Sequence, residues 1–180
     1  MIPMQRRLFL AAGATLASAL AGRKLLAAPD ALSALKAEPG PLPPDFTFTL
    51  ADGTVRTIAD YAGHGVVLNL WATWCLPCIA EIPALDTMAA AVASSGVVVL
   101  PLSSDRGGAP VVERFYREHG TKNLPVMLDP RGAGARILGT RGIPTTLLID
   151  AKGFERGRYE GGADWDSAAT IAMIRKLATI

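Results

Sequence analysis

Residues 65–71, GVVLNLW, form a nearly continuous apolar run broken by a single amide, Asn69. A run without polar alternation suits a strand buried on both faces, and such a strand needs a sheet covered above and below. The chain's two cysteines follow at once, in 71-WATWCLPCIAEIPAL-85, at the start of a pattern that reads as a helix to about Ser94. A buried strand running straight into a helix is the repeating unit of an α/β fold.

The rest of the chain repeats that alternation. FTFTL at 46–50 has period two and reads as a strand, Ala51-Asp52-Gly53 as a turn, and TVRTI as a second strand, which makes an N-terminal hairpin. Val97–Ser103 predicts another buried strand, and Ala109–His119 a helix with Val112, Phe115 and Tyr116 on one face. Pro125–Leu128 reads as a short strand, Arg131–Leu138 as a short helix and Thr145–Asp150 as a strand. Ala151-Lys152-Gly153 turns the chain into the strand Phe154–Glu160, and a helix over Asp166–Ala178, capped by Asp166, closes it. The expected fold is a mixed α/β sheet with helices on both faces.

The N-terminus reads as a separate region. Arg6-Arg7 precedes the apolar run Leu8–Ala21, which ends in the small residues Ala19-Leu20-Ala21, as in an export signal. The run is short for a membrane span, which needs about 20 apolar residues. Residues 1–28 are therefore read as a signal, with an uncleaved anchor as the alternative. QRRLFL resembles the twin-arginine motif at Arg6, Arg7, Phe9 and Leu10, whereas Gln5 and Ala11 depart from it; an ordinary Sec signal stays open. Residues 29–44, ending in Pro41, Pro43 and Pro44, read as an extended spacer, and 45–180 as one domain. The chain has 18 basic and 16 acidic residues, with arginine scattered rather than massed, which argues against a nucleic-acid partner. Cleavage after Ala21 would remove two of the basic residues and leave a near-neutral protein.

Cys75-Leu76-Pro77-Cys78 admits three chemistries. Structural zinc normally takes four ligands, and here there is no second cysteine pair, while His64 and His119 sit in unrelated contexts. A structural disulfide closing so short a loop restrains almost nothing in the unfolded chain. A redox pair fits the surroundings. Cys75 falls at a helix N-terminus, where unpaired N–H groups and the dipole favour a thiolate. Cys78 follows one turn later on the same face, within reach of a disulfide. Pro77 suits the first turn because its missing N–H would be unpaired there. Cys75 is read as the exposed attacking thiol and Cys78 as the shielded, resolving one.

NLWATWCLPC, followed later by RGIPTTLLID, resembles the thioredoxin superfamily, and specifically its exported TlpA/ResA/CcmG-type thiol–disulfide oxidoreductases. The likeness runs from about Phe46 to the end and takes in the hairpin and an extra βα segment near 97–119. It implies a thioredoxin-like fold and dithiol–disulfide exchange through Cys75 and Cys78, with Trp74 flanking the pair. Pro144 matches the family's cis proline facing the disulfide, and Ile143 the residue whose backbone pairs with an extended substrate. Trp74, Pro77, Ile143 and Pro144 are thus the expected substrate contacts. Asn69 stands where thioredoxin has a buried aspartate, and Glu81 where exported reductases carry a glutamate able to take the Cys78 proton; a solvated helix glutamate is the plain alternative. The resemblance implies disulfide-containing exported clients, cytochrome c apoproteins or copper-site assembly proteins among them. It also implies a membrane thiol donor of electrons, a periplasmic monomer, and no cofactor or metal.

Leu76 and Pro77 give the first thiol no extra donor, Ile79 no cation, and Glu81 is negative; these choices favour a reducing couple, which Arg141 would offset if it pointed at the pair. Two competing activities remain. A peroxiredoxin needs a hydroxyl three residues before its cysteine, and that position is Ala72, with Thr73 one place too late. A copper(I)-binding module would use the same thiolates, but the family's copper carriers have a longer cysteine spacing and a distant histidine. Trp71 and Trp165 read as packing aromatics, and Asp150 as the start of a hairpin turn.

Overall fold

The structure, a computed structural model, describes residues 35–43 and 46–180; the proposed signal over residues 1–28 lies outside the described residues. Among the described residues the order is β1 (Leu35–Pro41), β2 (Thr47–Leu50), β3 (Val55–Thr57), β4 (Gly65–Trp71), α1 (Leu76–Val92) and β5 (Val97–Ser103). There follow α2 (Ala109–His119), β6 (Met127–Leu128), α3 (Ala133–Ile137), β7 (Thr145–Ile149), β8 (Phe154–Glu160) and α4 (Ala168–Arg175). The strands make one sheet in the order β1-β8-β7-β4-β5-β6-β2-β3.

β4 is the central strand. It runs parallel to β5 from Gly65↔Val97 to Trp71↔Ser103 and antiparallel to β7 from Val66↔Ile149 to Leu70↔Thr145. All seven of its residues are buried. Alternation sends Val67 and Trp71 to one face, where they pack with Ile82, Leu85 and Met88 of α1 and with residues of α2 and α4. Val66, Leu68 and Leu70 face the other way, toward Phe46, Phe48 and the α3 region. The sheet is therefore mixed and covered on both faces, as expected. The N-terminal hairpin β2–β3 joins it through β6.

Two local expectations need correction. Asp166 does not cap the last helix: Ser167 does, its hydroxyl accepting from Thr170 N at 3.2 Å. That helix is α over Ala168–Arg175 and finishes as a 3-10 turn over Lys176–Ala178. Part of the segment read as spacer is a strand, since β1 pairs antiparallel with β8 at the edge of the sheet. Proline is tolerated there because an edge strand leaves one side's N–H groups unneeded.

The start of β4 lies hard against the C-terminal turn. A Cβ on Gly65 would sit 2.6 Å from Leu177 Cβ and 2.8 Å from the Leu177 carbonyl carbon. Backbone cannot yield as a side chain can, so Gly65→Ala is expected to destabilise the domain by about 1–3 kcal/mol, measured by denaturant unfolding.

Candidate active site

The site is built at the C-terminal ends of β4 and β5. Asp105, just past β5 and buried, accepts from Thr73 N at 2.9 Å, Thr73 Oγ1 at 2.7 Å and Ser103 Oγ at 2.7 Å. These bonds fix the loop that presents Cys75 as the N-cap of α1. The Cys75 sulfur accepts from Cys78 N at 3.3 Å, and Pro77 occupies the first turn of α1. Cys75 and Cys78 are joined in a disulfide with their Cα atoms 5.2 Å apart. Both are buried, but Cys75 keeps 6% of its surface exposed and Cys78 none.

The loop before β7 closes over the pair. The Ile143–Pro144 peptide is cis, and the Ile143 carbonyl oxygen lies 3.8 Å from the Cys75 sulfur. Pro144 O is already engaged by Gly161 N at 2.8 Å. Beside the pair, Trp74 and Leu76 are 67% and 79% exposed, unusual for side chains of their size. Trp74 borders a cleft of about 230 Å³ whose lining includes Leu70, Trp71, Leu102, Ala135 and Ile143. Arg141 also lines this cleft, but its guanidinium is held by Glu160 at 2.6 Å. It is therefore committed to a carboxylate rather than to the cysteines.

Glu81 is not a solvated helix residue: it is 4% exposed. Its Oε1 accepts from Asn69 Nδ2 at 2.8 Å, and its Oε2 from Trp165 Nε1 at 2.8 Å and Ala163 N at 3.3 Å. The loop after β8 lies over the first turn of α1, such that a Cβ on Gly162 would come within 3.7 Å of Pro77 O. Burial pushes the Glu81 carboxyl above its ordinary range, against the opposing pull of the Trp165, Asn69 and Ala163 hydrogen bonds. Cys78 and Glu81 lie three residues apart on α1, on one face, and both are buried. A buried carboxyl one turn from a buried cysteine is an arrangement suited to proton exchange with that residue's thiol once the disulfide is reduced.

Three supporting residues were not assigned a part in the site by the sequence reading. Trp165 packs against Tyr159 but also donates to Glu81. Asn69 is a tether as well as a departure from aspartate, holding Glu81 and also donating to Thr146 Oγ1 at 2.9 Å. Asp105 carried a signal, because ligand-handling residues gather at the carboxyl ends of parallel strands. Among the described residues no group of three or more His, Cys, Asp or Glu side chains could hold a metal ion. His119 closes α2, its ring stacked on Phe115 and Nδ1 2.9 Å from Phe115 O.

A carboxyl raised in the folded state favours folding while protonated, and that contribution is lost as pH rises through its folded value. Glu81→Gln removes the cost of burying charge. Its stability relative to the parent is therefore expected to rise as pH climbs from below about 4.3, the ordinary carboxylate value, to neutrality. Denaturant unfolding of the oxidised proteins across that range reads the difference; a pH-independent gap would contradict the burial argument.

The AhpC/TSA family model matches residues 39–156. Thiol-disulfide oxidoreductase ResA of Bacillus thuringiensis (strain Al Hakam) is 35% identical over 113 residues, which are 61% of this chain and 62% of that protein. The chain thus spans just under two thirds of that relative's length. Among solved structures, a Chlorobium tepidum protein assigned as thiol:disulfide interchange protein DsbE superposes with a TM-score of 0.66 at 27% identity, covering 79% of this chain and 99% of that one. The exposed lipoprotein thioredoxin Etrx1 of Streptococcus pneumoniae gives 0.59 at 29% identity, over 75% of this chain and 98% of that one. With its cysteine pair capping α1 beneath a cis-proline loop, the chain belongs to the AhpC/TSA family and to the TlpA/ResA/CcmG-like group of thioredoxin-fold thiol–disulfide oxidoreductases.

Proposed function

We propose that this protein is an exported disulfide reductase that delivers electrons from Cys75 and Cys78 to the disulfides of other exported proteins. The observation that carries the reading is the environment of the pair: a buried carboxylate one turn from Cys78, with Arg141 of the cis-proline loop held by Glu160. In the reduced protein, the Cys75 thiolate attacks one sulfur of a client disulfide, and the other client sulfur leaves as a thiolate. Cys78 then gives its proton to Glu81 and attacks the Cys75 sulfur. The Cys75–Cys78 disulfide forms, the bond from Cys75 to the client breaks, and the client leaves reduced. Two electrons have passed from the pair to the client. A membrane thiol donor would restore the dithiol.

The direction of flow follows from what stabilises the thiolate. A strong oxidant holds its thiolate with several donors or a positive charge. In the disulfide form the Cys75 sulfur accepts from one N–H among the described residues, that of Cys78, and Arg141 is paired with Glu160. Trp74, Pro77 and Leu76 form an exposed apolar rim, and the backbone of Ile143 beside Cys75 can pair with an extended client segment before Pro144. Apoproteins of cytochrome c or copper-site assembly proteins, whose cysteines must be reduced before they take up their cofactors, are the client class the reading favours. Export is supported by the signal-like N-terminus and by the exposed-lipoprotein description of Etrx1. Among the described residues no helix is long and apolar enough to cross a membrane.

A peroxidase reading is disfavoured, because Ala72 has no hydroxyl to orient a peroxide and the Thr73 hydroxyl donates to Asp105. The copper reading has the two thiolates and no third ligand group among the described residues. Stopped-flow reduction of a protein disulfide by the dithiol form tests the proposal. Cys75→Ser is expected to abolish the reaction, and Cys78→Ser to stop it at a mixed disulfide through Cys75. Turnover of hydrogen peroxide with no disulfide reduction would overturn it.

A further inference from the structure

Asn69 is the one polar side chain in β4, and its carboxamide is used on one side only. Nδ2 donates to both Glu81 Oε1 and Thr146 Oγ1, while Oδ1 is buried with no hydrogen-bond partner. A buried acceptor left unpaired costs free energy, so its persistence at this position calls for a reason. Resting on the reading of Glu81 as acceptor of the Cys78 proton, we propose that the Asn69 carboxamide is a two-state partner of that carboxyl. It presents Nδ2 to the carboxylate and, after a half-turn about its terminal torsion, Oδ1 to the carboxylic acid.

The hydrogen bonds around Glu81 dictate where a proton can go. Oε2 faces two N–H donors, Trp165 Nε1 and Ala163 N, neither of which can accept. A proton on Oε2 would be set against them, so the acid must carry it on Oε1. The group against Oε1 is Asn69 Nδ2, again a donor. Protonation therefore turns this contact into donor against donor unless the amide rotates. Rotation brings Oδ1 to accept from Oε1–H. Thr146 accommodates the change, because a hydroxyl can accept from Nδ2 in one state and donate to Oδ1 in the other. Glu81 and Thr146 each keep a hydrogen bond in both states, the cost falling on the amide itself, whose Nδ2 takes the unpartnered place of Oδ1 after rotation; a leucine at this position could serve neither state.

The surroundings leave Asn69 as the adjustable member. Cys78 lies one turn before Glu81 on α1 and is the proton source in the proposed reading; Tyr159 of β8 senses the Glu81 charge, though burial is the larger influence on its own raised phenol. Trp165 and Ala163 from the loop after β8 are fixed donors, and among the described residues no lysine or arginine acts on the carboxyl. Asn69 is thus a positioning residue: it touches no sulfur and no client, and it keeps the carboxyl competent to take and release a proton inside the core.

The test follows the Asn69 side-chain amide by NMR in the full domain, beside the Glu81 carboxyl carbon. At a pH where Glu81 is ionised, both Nδ2 protons are hydrogen-bonded and shifted downfield; as the carboxyl protonates they should move upfield together. Glu81→Gln supplies a locked reference. Its carbonyl must face Trp165 and Ala163, its amide must donate toward Asn69, and the Asn69 signals should match the acid state at every pH. In kinetics, Asn69→Leu should slow release of the client from the mixed disulfide by about tenfold or more, the cost of an acid with no acceptor. Asn69 signals that stay fixed while the Glu81 carbon titrates would overturn the two-state role and leave the Glu81 reading intact. A Glu81→Gln protein that resolves the mixed disulfide as fast as the parent would instead remove the reading on which the inference rests.

Discussion

Because β4 is hydrogen-bonded along both edges and covered on both faces, its C-terminal end is a firmly anchored point from which a loop can be held. The chain uses that anchorage to place a reactive sulfur. Trp71 is sealed against Tyr116, with ring centroids 5.7 Å apart, and the next four residues carry the chain to the cap of α1. Asp105, at the end of the neighbouring parallel strand, ties the intervening loop from the side. The position of Cys75 is thus a consequence of strand pairing, and its partner Cys78 is fixed by the helix that the same loop begins.

The same strand governs the chemistry from below. Alternation places Asn69 between Val67 and Trp71 on the face that meets α1, so the one amide in an otherwise apolar run points at the one carboxylate buried in that helix. Three N–H donors hold Glu81 and, among the described residues, no cation compensates it. Burial makes such a group costly as an anion while its three N–H donors favour the anion, and a carboxyl balanced between the two is suited to exchange a proton with a buried thiol. A carboxylate beside the pair also opposes a thiolate there, so that on the proposed reading the base for the mixed disulfide and the bias toward a reducing couple would share one physical origin.

Much of this was legible in the sequence because the signals are local. The apolar run of β4, the period-two pattern of β2, and the helical spacing of Val112, Phe115 and Tyr116 each report burial within a few residues. The cysteine pair and Pro77 declare a helix start by the same short-range logic. What stayed hidden depends on contacts far apart in the chain. Trp165 meets Glu81 across 84 residues, and nothing near Trp165 distinguishes a donor to a carboxylate from a packing ring. Arg141 looked able to reach the cysteines, and only the register of β7 against β8 brings Glu160 close enough to claim it. Asp166 and Ser167 are both good caps; the choice between them is made by where Thr170 N points.

The reduction potential of the Cys75–Cys78 couple, obtained by equilibrating the mature domain with defined thiol–disulfide buffers, tests the central claim most directly. A couple with one amide donor on its attacking sulfur and an uncompensated carboxyl beneath is predicted to lie near or below about −230 mV, on the thioredoxin side of the scale. A value near about −120 mV, that of a strong disulfide donor, would contradict the account of Glu81 and of the direction of electron flow.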